Sequence, residues 1–263
     1  MDGFLHTLLR IVNTTDADDT YHRIAVILVR NIVALNGMSI TRMAELCYVS
    51  PATLSRFFRD VGFKSFGSFK ESLDRHYGFE IDYTREYRDL GSSTASKLEA
   101  LRSQTLSSLA DVGDTLDQRA LERLAKLIHD HDEVVFFGHT VYQYVILYLQ
   151  QRLSLFGKLI LADTDVVRQV DEARELREGA LAVICSPRGQ SLVNNGVVGE
   201  LYKNRVRTAL ITQNPNPPFA ERYSLVLSMG GTPDNNLSMI ALMFLVDQLV
   251  MLYYIRYHDE LIV

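Results

Sequence analysis

The chain has 263 residues, 47% hydrophobic and 22% charged, with a mean hydropathy near zero. That describes an ordinary soluble globular protein, long enough for two domains that each bury a core. The net charge of −5 argues against a uniformly basic nucleic-acid binder, but it is uneven: Tyr21 to Gly78 holds 8 Arg/Lys against 4 Asp/Glu, while Phe79 to the end holds 18 against 24. One basic module and one acidic module with a different task are expected.

Met1 to Val12 reads as a short helix, and the acidic turn NTTDADDT follows it. The turn lacks the Gly and terminal Glu of a calcium loop, so its aspartates are expected to cap the helix beginning near Asp19. That helix carries Tyr21, Ile24, Ala25, Leu28, Ile32 and Leu35 on one stripe.

Ser39 to Asp60 then reads as two short helices joined by a tight turn. Ile40, Met43, Ala44 and Cys47 recur at helical spacing in the first, and Leu54, Phe57, Phe58 and Val61 in the second. Ser39 and Ser50 are suited to cap them, with Pro51 at the first helical position. The outward face of the second helix is Ala52, Thr53, Ser55, Arg56 and Arg59, short or cationic side chains of the kind a major groove accepts. A further amphipathic helix with Phe66, Phe69, Leu73 and Tyr77 completes an all-α helix-turn-helix domain over residues 1–78. Arg56 or Arg59 is expected to read a base edge, alongside Thr53 and Ser55, with Ser50, Lys64 and Lys70 nearer to phosphates. The plainer reading is a helical hairpin with a solvated basic face.

Residues 79–96, polar and rich in serine, are the linker candidate. Helices are expected at about 97–112 and 117–130. From Glu133 the pattern changes to short β-branched runs: 133–137, 158–162, 180–185, 207–212 and 224–228, most of them separated by helical stretches. This predicts an α/β doubly wound, mostly parallel sheet domain over 97–263. The apolar helix from about Asn236 to His258 closes it. Asp247 and Gln248 interrupt that helix and no basic flank follows, which favours a core or interface helix over a membrane span. The N-terminal MDGFLHTLLR has an acid before any base and no cleavage site, so a cytoplasmic location is expected. Cys47 and Cys185 fall in core segments, as buried thiols rather than a disulfide framework.

Ligands of open α/β sheets sit beyond the carboxyl ends of strands. Two loops qualify: Gly138-His139-Thr140, and Ser186 through Arg188, Gly189, Gln190 and Ser191. The second combines hydroxyls, a glycine and an arginine ahead of a helix, which suits an anion; an ordinary turn is the alternative. His129-Asp130-His131-Asp132 is consecutive at a helix end and reads as a solvated turn rather than a metal site. Glu172, Glu175 and Glu178 read as a charged helix face. Ser186 lacks a G-x-S-x-G context, and no acid/base pair stands out, so neither catalysis nor a cofactor is expected.

Residues 39–73 closely resemble the helix-turn-helix of the RpiR/MurR family of bacterial transcriptional regulators. The family pattern V-S-x-A-T-[LV]-x-R-F falls on Val49 to Phe57, and G-[FY]-x-[SG]-[FY]-x-x-[FL]-K on Gly62 to Lys70. The remainder resembles that family's sugar isomerase (SIS) domain. The family's first loop, roughly G-x-G-x-S, matches at Gly138, with Thr140 and Tyr142 in place of the second Gly and the Ser. Its second, roughly S-x-S-G-x-[ST], matches at Ser186, Gly189 and Ser191, with Arg188 in place of the middle Ser. A bulky Tyr and Arg either fill the ligand space or let Arg188 supply a charge. The resemblance implies a homodimeric or homotetrameric regulator that binds a double-stranded operator and a phosphosugar effector and controls sugar-metabolism genes. A sugar-phosphate isomerase, or an SIS domain kept only for dimerisation, are the alternatives.

Overall fold

The structure is a computed structural model that describes residues 4–74, 92–139, 141–164, 166–194, 196–230 and 237–257. Contacts divide the chain into two compact units, Met1–Arg85 and Glu86–Val263.

The described residues of the first unit form helices and no strand: α1 (Phe4–Thr14), α2 (Thr20–Arg30), a 3-10 turn (Ile32–Ala34), α3 (Ile40–Leu46), α4 (Pro51–Asp60) and α5 (66–74). The Asp19 carboxylate accepts from Tyr21 N–H and His22 N–H and starts α2, as the acidic turn suggested. The predicted stripe does not run on to Leu35 as one helix. Asn31 ends α2, its side chain donating to Ile27 O at 2.8 Å, and the 3-10 turn carries the stripe onward. The core is aromatic and dense. Phe58 stacks on Phe69 with ring centroids 4.0 Å apart and meets Phe57 and Phe63 edge-on. Met43, Leu54, Leu28 and Ile24 fill the space around them.

The second unit opens with α6 (Thr94–Thr115) and α7 (Gln118–Asp130), then alternates β1 (Val134–Gly138), α8 (Val141–Ser154), β2 (Leu161–Ala162), α9 (Val166–Glu175), β3 (Leu181–Cys185), α10 (Ser191–Asn194), α11 (Val197–Lys203), β4 (Arg207–Thr212), β5 (Leu225–Ser228) and α12 (Leu237–Tyr257). The last residues of the predicted linker, Thr94 to Ser96, belong to α6: Ser93 and Ser96 form a reciprocal capping box, so a serine cluster that resembled a linker is a helix start. Residues 79–91 of that linker, and Tyr77 and Gly78 of the first domain, lie outside the described residues.

The five strands are all parallel in the order β2-β1-β3-β4-β5. Continuous burial along β1 and β3 follows, since helices cover both faces. One face, with Val134, Phe136, Val183 and Ile211, packs against α7, α8 and α12. The other, with Val135, Phe137, Ala182 and Leu210, packs against α9 and α11. Of all the helices described, α12 alone is long and apolar enough to cross a membrane, and its Leu242, Leu245, Leu249 and Tyr253 are buried in the sheet's core. Cys47 and Cys185 are free and buried, and burial pushes their thiols up to about 11 and about 12.

Candidate functional site

Each unit holds one candidate site. In the helical unit, the Ser39 side chain accepts from Arg42 N–H (3.2 Å) and starts α3. Ser50 Oγ accepts from Thr53 N–H (3.1 Å) and shares a hydrogen bond with Thr53 Oγ1 (2.9 Å), starting α4 behind Pro51. Leu54, Phe57 and Phe58 turn inward, which forces Ala52, Arg56 and Arg59 outward. Thr53 and Ser55 are partly exposed at the helix flanks. Among the described residues neither Arg56 nor Arg59 is held in an ion pair and both side chains are exposed, with Arg56 close enough to Tyr21 to favour ionisation of its phenol. Lys64 is exposed beyond the helix end. Lys70 is partly buried, with Nζ 3.5 Å from Leu35 O, so it is a brace between α5 and the 3-10 turn.

In the sheet unit, the strand order reverses direction between β1 and β3, and their carboxyl ends are neighbours: Gly138 pairs with Cys185. Such a switch point is where an open α/β sheet leaves a crevice for a ligand. The loops after both strands therefore meet. His139 and Ser186 are buried there, Arg188 and Gln190 exposed. Thr140 and the side chain of Ser191 lie outside the described residues.

The second loop is held from the side of β4. Pro187 O accepts from Gln213 N–H and Thr212 Oγ1, both at 2.9 Å, and Arg188 O accepts from Asn214 Nδ2 at 3.0 Å. Gly189 sits at φ +71°, and a Cβ there would come within 3.1 Å of Pro217 Cβ. Its N–H donates to Ser186 O (2.9 Å), within the loop. The helix expected to open there is the single turn α10, too short to build a macrodipole. At Gly138 a Cβ would meet Ile146 Cδ1 at 2.6 Å, so this glycine lets α8 close on the sheet. Tyr142 packs against that same core.

Sequence reasoning missed two glutamines. Gln143 on α8 and Gln169 on α9 approach from opposite faces of the sheet and both donate to Gly138 O, at 3.1 and 2.9 Å. Gln169 also donates to Asp163 O at 2.7 Å. A carbonyl only accepts, so both amide nitrogens must face it and both Oε1 atoms are left over. Gln143 Oε1, Gln169 Oε1 and Ser186 Oγ are buried and have no hydrogen-bond partner among the described residues. A usable signal was the place of these glutamines in buried helical stripes, with Ile146 and Leu149 in one and Ala173 in the other.

The remaining candidates are structural. His129 stacks on Tyr257 with centroids 3.8 Å apart, Asp130 pairs with Lys126 at 2.9 Å, and His131 Nδ1 lies 2.8 Å from Leu127 O. Lys158 donates to the carbonyls of His129 and His131, capping α7, and its ammonium is held below the ordinary lysine range by burial. Glu172 departs from the solvated face expected of it. It is half-buried with Oε2 unpartnered, and desolvation, then repulsion from Asp163, Glu133 and Glu175, pushes its carboxyl to about 7.

No known family model matches the chain. It is 23% identical over 219 residues to the HTH-type transcriptional regulator HexR of Pseudomonas aeruginosa, spanning 82% of this chain and 76% of that protein. Among solved structures it resembles the Vibrio vulnificus NanR protein complexed with ManNAc-6P, at 21% identity and a TM-score of 0.55, covering 97% of this chain and 93% of that one. It also resembles the sugar isomerase domain of an RpiR transcription factor from Sphaerobacter thermophilus, at 18% identity and a TM-score of 0.54, covering 60% and 90%. The fold is thus a helix-turn-helix unit followed by an SIS-like α/β unit.

Proposed function

We propose that this chain, a homologue of the HexR regulators of the RpiR family, is a cytoplasmic transcriptional regulator that binds operator DNA through α4 and senses a phosphosugar or related anion at the β1/β3 switch point. The observation that carries the reading is the coexistence in one chain of a capped helix with two exposed outward arginines and a strand-order switch point beside which Gln143 Oε1, Gln169 Oε1 and Ser186 Oγ are buried without a described partner. Module boundaries at 1–78 and 97–263 go with it, with α6 beginning at Thr94 inside the stretch 79–96 read as a linker.

On DNA, Arg56 or Arg59 reads a base edge from α4, with Thr53 and Ser55 beside it and Ser50 and Lys64 toward phosphates. In the sensor, Ser186 Oγ, Gln143 Oε1 and Gln169 Oε1 are matched to ligand hydroxyls, and exposed Arg188 to a phosphate. His139, Thr140, Gly189, Gln190 and Ser191 complete the loops. One helix-turn-helix reads few base pairs, so two copies on a two-fold operator are needed. The outer side of α12 offers the surface: Phe244, Met251, Tyr254 and Ile255 stay exposed although the inner side is fully buried. An isomerase reading needs an acid/base pair at the loops, and the carboxyl with a pKa near 7, Glu172, has Asp163, Glu133 and Glu175 as its electrostatic neighbours.

A thermal-shift panel of sugar phosphates tests the sensor. A ligand at 100 times Kd adds about 2.7 kcal/mol to the stability of the form it binds. A stabilising member that also changes DNA affinity is the expected result. No shift with any member, and DNA binding indifferent to all, would leave the sheet unit as a dimeriser. Turnover of a sugar phosphate would reinstate the enzyme.

A further inference from the structure

Both helices of the helix-turn-helix end in the same hydrogen-bonded motif, with different residues at its left-handed position. At the end of α4, Gly62 N–H donates to Arg59 O (3.1 Å) and Phe63 N–H to Phe58 O (2.8 Å), with Gly62 at φ +101°. At the end of α3, Tyr48 N–H donates to Glu45 O (3.1 Å) and Val49 N–H to Ala44 O (3.0 Å), with Tyr48 at φ +56°. This position favours glycine because a Cβ crowds the neighbouring carbonyl. A bulky aromatic there is an outlier. Packing does not offset the strain, since Tyr48 is 91% exposed, whereas Val49 after it is tucked against the core.

The helical unit therefore carries a strained tyrosine that its own fold does not use. Strain of this kind concentrates where a residue serves a ligand. Tyr48 lies two residues before Ser50, the cap of α4, in the turn that leads to the end of the helix that enters the groove. We propose that Tyr48 is a DNA-contact residue whose phenol O–H donates to a backbone phosphate oxygen beside that groove. The proposal rests on the DNA-binding reading of α4. A neutral donor to phosphate adds affinity without sequence preference and releases no counterion.

Arg205 provides an internal control. It holds the same left-handed place after α11 (φ +56°), with its N–H on Tyr202 O at 3.1 Å and Val206 N–H on Leu201 O at 3.0 Å, and it belongs to the sheet unit.

The test uses the full-length protein, a duplex enriched from a randomised library by the wild type, and a scrambled duplex of the same composition. Tyr48→Phe should weaken both duplexes by the same factor, about tenfold for a hydrogen bond to a charged acceptor. The salt dependence should keep its slope. Tyr48→Gly should lose the same affinity while its melting temperature rises. Arg205→Gly should raise the melting temperature with affinity unchanged. Wild-type affinity in Tyr48→Phe overturns the proposal, whatever Tyr48→Gly does, and leaves the DNA-binding reading standing. A lower melting temperature or altered sedimentation for Tyr48→Gly also overturns it, because the ring would then be docked on protein. Failure of the wild type to enrich any duplex rejects the proposal and the DNA-binding reading together.

Discussion

In the helical unit, Arg56 and Arg59 stand on the outside of a helix whose inner side is filled by Leu54, Phe57 and Phe58. In the sheet unit, Gln143, Gln169 and Ser186 are inside, brought to Gly138 from two helices and a second strand. The first arrangement is local: one helix of ten residues fixes every group, and the core behind it sets only the angle. The second is assembled across the chain, so its geometry depends on the sheet being intact. The two units should fail in different ways when their supports are removed.

The largest expected effect separates them. Phe58 touches Phe57, Phe63, Phe66 and Phe69 and is fully buried. Phe58→Ala should destabilise the helical unit by about 3–5 kcal/mol. DNA binding should vanish at temperatures where calorimetry still shows the sheet unit melting as in the wild type. A common shift of both transitions would mean that the units fold as one. The converse change is Gln169→Leu, which keeps volume but leaves Asp163 O without this donor and Gly138 O with Gln143 alone. It should cost the sheet unit about 1–3 kcal/mol, read as a lower midpoint in urea, and leave the helical unit untouched.

The same contrast decides what could be read from the sequence. The caps Ser39, Ser50 and Asp19, the stripe around Phe57 and Phe58, and the outward arginines follow from spacing alone, because helical period and capping are local rules. All five strands were legible as apolar runs: β1, β3 and β4 because burial on both faces leaves little room for polar residues, β5 with alternate residues exposed, and β2 reduced to Leu161–Ala162 of the run 158–162. The carboxyl-edge loops followed from the sheet rule. Their contents did not: which N–H turns inward, and that Gly189 bonds to Ser186, depends on contacts with Thr212, Gln213 and Pro217 some 25 residues away. Gln143 and Gln169 are 26 positions apart, and nothing in either neighbourhood names their common acceptor. The serine cluster at 93–96 was misread because a capping box and a linker share a composition.

At the helical site the expected effects are local and fall on binding rather than on folding. Arg56→Ala should weaken the selected duplex by about 1–3 kcal/mol if this arginine holds a base edge, and a scrambled duplex by less. Arg56 is exposed, so the melting temperature should stay put. Fluorescence anisotropy at fixed salt measures both affinities. Equal losses on the two duplexes would assign Arg56 to the phosphate backbone and shift base reading to Arg59.

The smallest expected effect belongs to the sheet unit and is visible only through pH. Glu172 titrates at about 7 in the folded chain against 4.5 as a free side chain, because burial and then Asp163, Glu133 and Glu175 oppose its charge. Its folded pKa is raised, so folding favours the protonated form. The stability this provides is complete below pH 4.5 and is lost as pH rises through 7. Glu172→Gln removes that loss, because a neutral amide replaces the carboxylate among the same neighbours. The variant should match the wild type near pH 4.5 and exceed it at pH 8. The half-buried side chain is screened by solvent, which holds the gain to about 1 kcal/mol, well below the full conversion of the shift. Urea midpoints across that range give the curve. A constant offset between the two proteins at every pH would mean that the amide changes packing and that Glu172 carries no titration of its own.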